Sequence, residues 1–122
     1  MIKKVVDERA RLQRKLRDCL YWARKRSAIR PALPKIDIDL PYLERLWRRQ
    51  KGGCALTGAP LELSGAFGIT IDRTTPARGY TRRNVRLVGR SANAAKHGMT
   101  TAEFHHFVIE SYCWLKRKKM VR

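Results

Sequence analysis

The chain has 122 residues, 43% of them hydrophobic, with 28 Lys and Arg against 10 Asp and Glu and a formal net charge of +18. That length argues for one domain with a small core, and an ordinary apolar content excludes global disorder. Self-repulsion on this scale opposes compaction unless a polyanion relieves it, and nucleic acid is the commonest polyanion.

Residues 5–26 carry Val5, Leu12, Leu16, Cys19, Leu20 and Ala23 at three- and four-residue steps with basic residues between, which predicts an amphipathic helix. Pro31 and Pro34 end it and leave IRPALPKIDID as an extended connector. Asp39 as N-cap and Pro41 in the first turn start a second helix, Pro41–Lys51, with Leu40, Leu43, Leu46 and Trp47 as its apolar stripe. Gly52 and Gly53 stop it, and CALTGAPLEL reads as a turn with a short strand. Then come a strand at Ile69–Asp72, a loop at Arg73–Arg83, a strand at Val85–Val88 and a short helix at Arg90–His97 closed by Gly98. Thr100 and Glu103 form a capping box for a last helix, whose buried face is expected along Phe104, Phe107, Val108, Ser111 and Leu115. Lys116 to Lys119 crowd its C-terminal end, where the helix dipole favours cations. The fold class expected is α+β, a small single domain in which residues 1–35 are a basic helix with its connector and residues 36–122 hold the ββα unit and the closing helix.

The charge is spread along the chain. Residues 1–51 carry 16 basic and 6 acidic side chains, and residues 52–122 carry 12 and 4. Both halves should therefore face the polyanion, and interleaved Trp and Tyr favour nucleic acid over a merely soluble basic surface. Three separated cysteines, Cys19, Cys54 and Cys113, with no C-x-x-C pair, fit free, mostly buried thiols in a reducing compartment. MIKKVVDERARLQRK has no apolar signal core and no run reaches membrane-spanning length, so a cytoplasmic protein without a membrane partner is expected.

In a ββα unit, the end of the first strand faces the first turn of the helix packed across the hairpin. Asp72 would then lie near Asn93, with His97 one turn further along the same helix face. A carboxylate, an amide oxygen and an imidazole can hold one divalent cation, and mostly oxygen ligands favour Mg²⁺ or Mn²⁺ over Zn²⁺.

Ile71-Asp72-Arg73, Gly79-Tyr80-Thr81, Asn84-Val85, then Asn93 and Lys96, resemble the ββα-metal motif of HNH endonucleases, the His-Me finger nucleases, in a phage-type branch. The upstream LERLWRRQKGGCALTGAPL and the downstream TTAEFHHF resemble that family's flanks, so the likeness spans roughly residues 36–110. It implies a metal-dependent endonuclease hydrolysing DNA, of phage or bacterial origin. Asp72 and Asn93 match metal-binding positions, Asn84 a loop-bracing position, and His97 the place where colicin-type members put a further histidine ligand.

Two departures bear on this. Where better-known members have the histidine that activates water, this chain has Arg73, which stays protonated and cannot be a general base. Arg73 can clamp the scissile phosphate. The base is then another group or a metal-bound hydroxide, with His97 one candidate, or the chain is a catalytically impaired, nucleic-acid-binding or regulatory relative. Secondly, Cys54 has Thr57 where a zinc-binding relative has a second cysteine, so no structural zinc is expected and packing of Trp47, Leu56, Leu61 and Phe67 should replace it.

Arg78, Arg82, Arg83, Arg86, Arg90 and Lys96 cluster around the motif and form the expected phosphate track. Tyr80 should brace the turn. His105 and His106 take no role. Arg24, Lys25 and Arg26, near Tyr21 and Trp22, leave two roles open for the first helix: gripping DNA away from the cut, or pairing with a second copy.

Overall fold

The computed structural model describes residues 2–122. In chain order the elements are α1 (Ile2–Ala28), α2 (Leu40–Arg49), β1 (Ile69–Arg73), a 3-10 turn (Pro76–Arg78), β2 (Val85–Gly89), α3 (Arg90–Lys96) and α4 (Thr101–Arg117). Four helices around one two-stranded antiparallel sheet make a small α+β domain.

Only part of the α1 apolar face is used. Leu16, Leu20 and Ala23 are buried and Leu12 and Cys19 pack at the edge, while residues 2–11, Val5 included, are all exposed. Burying each leucine contributes about 1.5–3 kcal/mol, so the second half of the helix is what anchors it. It packs against α2 and β1, which places the basic N-terminal helix in the same core as the hairpin.

Asp39 caps α2, its carboxylate accepting the Tyr42 N–H at 2.9 Å. Leu43 and Leu46 are buried as the stripe requires, with Leu40 and Trp47 packed beside them. Tyr42 is buried too, which the stripe did not include, and its hydroxyl accepts the Arg83 backbone N–H at 2.8 Å. Lys51 and Gly52 take positive φ of 53° and 69° to leave the helix. A Cβ on Gly52 would stand 3.1 Å from the Trp47 ring, so glycine is needed there for space as well as for φ.

No strand forms in CALTGAPLEL. Gly53 and Pro60 make one isolated bridge and Glu62 and Gly68 another. Pro60 lacks the N–H a ladder needs, so the pairing cannot propagate. Leu56 and Leu61 are buried here and Trp47 is partly so, but Phe67 is 50% exposed and does not fill the position expected of it. All three cysteines are free, and Cys113 is exposed rather than buried. Burial pushes the Cys54 thiol up, but hydrogen bonds from Thr57 and from the Gly89 and Leu56 backbone outweigh it and hold the thiol below its usual range.

The capping box at Thr100 and Glu103 is present in both directions. The buried face of α4 is much smaller than its periodicity implies. Phe104 is buried and His105 Nε2 lies 2.7 Å from the Leu56 carbonyl, but Phe107 and Val108 are 51% and 41% exposed, because among the described residues no other helix or strand packs along that part of α4. Among the described residues no helix is long and apolar enough to cross a membrane.

Candidate nucleic-acid interface and hairpin site

β1 and β2 pair antiparallel with Asp72 opposite Arg86, Ile71 opposite Leu87 and Arg73 opposite Val85. Side chains alternate across a strand. Ile69 and Ile71 therefore share one face, while Thr70 and Asp72 share the other with Arg86 and Val88. α3 packs against both strands. β1 runs one residue further than its pattern suggests, so Arg73 ends the strand instead of opening the loop.

Asp72 is not a free carboxylate. Its Oδ2 accepts from Arg86 Nε at 2.9 Å, with side-chain exposures of only 12% and 17% for the acid and the base. The Arg86 Nη2 donates to Thr101 Oγ1 at 3.0 Å, which ties the hairpin to the first turn of α4. Arg86 is thus a structural partner of Asp72 and is not one of the open cations of the expected track. No hydrogen bond engages Asp72 Oδ1 or the Asn93 amide among the described residues.

Arg73 is held in place from two sides. Its guanidinium lies 5.0 Å from the Tyr80 ring centroid and its Nη1 donates to the Pro76 carbonyl at 3.3 Å. Tyr80 is itself buried, and its hydroxyl accepts from Arg26 Nη1 at 3.1 Å. A cation stacked on an aromatic face is worth about 0.5–2 kcal/mol, enough to orient a side chain that would otherwise move freely.

Asn84 is buried with its whole amide in use. Its Nδ2 donates to Thr75 O at 2.9 Å and to Gly79 O at 2.6 Å, and its Oδ1 accepts the Thr75 N–H at 2.9 Å. Its backbone carbonyl accepts from Thr74 and its N–H donates to Thr81. One residue thereby fastens four positions of the loop between the strands. Gly79, at φ 68°, lies where a Cβ would stand 3.3 Å from the Pro34 carbonyl, so this loop also closes against the connector.

His97 does not continue the face of Asn93. α3 ends at Lys96, and His97 is its exposed C-cap at φ 41°, ψ −116°. Its N–H still reaches Asn93 O at 3.2 Å, but its side chain leaves the helical track. The 3.6-residue period applies only while helical dihedrals last.

The expected cation track divides. Arg78, Arg83 and Arg90 are exposed and make no ion pair among the described residues. Arg82 is tethered: its N–H and Nε donate to Asp37 and its Nη2 lies 3.6 Å from Asp39. Lys96 is 7% exposed and makes no ion pair. The ties through Asp37, Asp39, Arg26 and Thr101 have no local sequence signal, since each joins residues far apart in the chain.

Among the described residues there is no group of three or more His, Cys, Asp and Glu able to hold a metal ion. No family model, curated protein or solved structure matches this chain.

Proposed function

We propose that this chain is an HNH-like endonuclease that hydrolyses DNA phosphodiester bonds with one divalent cation, Mg²⁺ or Mn²⁺. The observation that carries the reading is a single acid, Asp72, keeping one uncommitted oxygen on a hairpin ringed by arginines, in a chain of net charge +18. Asp72 and Asn93 would hold the cation, whose chemistry when bound is to stabilise charge on the departing oxygen. Arg73, oriented by Tyr80, clamps the scissile phosphate with a planar fork of donors. Asn84 holds the loop that carries Tyr80, so it positions Arg73 at one remove. His97, exposed at the end of α3, is the side chain of this region able to accept a proton from water. Arg78, Arg83 and Arg90 guide the backbone.

A second reading, a binder on the same fold that does not cut, is favoured by one observation: the only acid of the hairpin already has a counter-charge in Arg86. Supercoiled plasmid incubated in EDTA, Mg²⁺ and Mn²⁺ separates the two. Metal-dependent nicking is the expected result. Tight binding with no nicking in either metal would overturn the nuclease and leave the binder.

The division of the cation track has its own consequence. Binding should weaken steeply with salt, and Arg78→Gln, Arg83→Gln or Arg90→Gln should each lower the slope of log K against log salt by about 0.9. Arg86→Gln should leave that slope unchanged, because Arg86 is spent on Asp72. An equal effect from all four would show that the ion pair opens when DNA binds.

A further inference from the structure

We infer that the groove between α1 and β1 is a nucleobase pocket, so that the nucleic acid this chain binds has an unpaired strand along α1; this rests on the nucleic-acid reading above but does not require cutting. The groove holds about 210 Å³. Trp22, Lys15, Asp18 and Arg26 of α1 form one side of it, and Ile69 and Ile71 of β1 lie on the other. Ile69 and Ile71 are core residues, so that side of the groove is the fixed strand edge, with Thr70 between them and Cys19 donating to the Ile69 carbonyl. Trp22 is 58% exposed, and Tyr21 packs edge-on against it with ring centroids 5.3 Å apart. A large aromatic side chain open to solvent beside a fixed strand edge is what stacks a base, and rims of lysine and arginine are what track its backbone.

Charge decides which part of the strand enters. Asp18 makes no ion pair among the described residues, and it lies in the groove. A carboxylate there repels phosphate, yet it accepts from an exocyclic amino group of a base. The base therefore goes in, and the backbone runs outside. A second hollow shares Lys15 and Asp18 with the first and continues past Arg11 and Arg14. From Arg11 to Arg26 this basic edge covers about 22 Å of helix. In a duplex each base is already paired and stacked on its neighbours, so only an unpaired one can reach Trp22 without a cost in unstacking. The groove also communicates with the hairpin: Arg26 reaches Tyr80, and Tyr80 carries Arg73, the residue after Asp72.

The test is fluorescence anisotropy in EDTA, with a labelled mixed-sequence single strand and the duplex made from it. Trp22→Ala should weaken single-strand binding about 10-fold and duplex binding less than about 2-fold, and Trp22→Phe should retain most of the single-strand affinity. Trp22 is exposed, so folding should be unaffected, and far-UV circular dichroism of both variants checks this. Single-strand binding that does not respond to Trp22→Ala, or an equal loss on strand and duplex, overturns the pocket and leaves the proposed function standing. Wild-type protein that binds neither strand nor duplex overturns both.

Discussion

Asp72→Asn is expected to abolish metal-dependent nicking of supercoiled DNA, a loss of roughly a hundredfold or more, while folding and DNA binding are kept. Asparagine is the right substitution because of what Asp72 touches. Arg86 Nε donates to Asp72 Oδ2 at 2.9 Å, and both side chains are largely withdrawn from water. Alanine would leave the largely buried Arg86 Nε–H with no acceptor as well as no counter-charge, at a cost of about 3 kcal/mol or more, and would confuse lost chemistry with lost structure. Asparagine keeps an oxygen for Arg86 and removes only the negative charge that a cation needs. Removing that charge near phosphate should leave DNA affinity unchanged or raise it. Wild-type nicking by a well-folded Asp72→Asn protein would show that the hairpin acid is not the metal ligand, and the site assignment would fall.

The second large effect is on stability. Asn84→Ala removes three side-chain hydrogen bonds at once and leaves the Thr75 N–H and the Thr75 and Gly79 carbonyls without their partner. A buried polar group left unpaired costs about 1–3 kcal/mol, so a total of about 3 kcal/mol or more is expected against a domain stability of about 5–15 kcal/mol. In urea unfolding this should appear as a lower midpoint with little change in slope. Asn84→Asp is the sharper control. Two carbonyl oxygens face the Asn84 Nδ2, so a carboxylate would set oxygen against oxygen and should cost at least as much as alanine. If Asn84→Asp unfolds at the wild-type midpoint, the amide is not what closes the loop. A retained fold with weaker nicking would instead place its effect on Tyr80 and Arg73.

Local signals in the sequence carried the elements well. Asp39, Thr100 and Glu103 act as caps because capping is settled within four residues of chain. The two strands lie within one residue of their expected ends because alternating Ile and Val impose a two-residue period. Errors arose where periodicity exists without a neighbour to bury it. Val5 on α1 and Phe107 and Val108 on α4 sit at correct helical steps, yet no other element reaches them. The reverse happened at Tyr42, buried because Arg83 and the loop fold over it.

The sequence by itself determined the α+β class, the helix caps, the antiparallel hairpin and the basic surface, since composition and short-range patterning are properties of the chain before it folds. Only the tertiary structure decided which charges are free. Asp72 and Arg86 lie fourteen residues apart and meet because the register of the hairpin puts them opposite each other. Arg26 and Tyr80, fifty-four apart, meet because α1 packs on β1. Arg73 is oriented by that same tyrosine, and His97 is turned off its helix face by a backbone that stops at Lys96. Pairing of this kind depends on distance in space, and a carboxylate or a guanidinium has the same letter in the sequence whether it is paired or open.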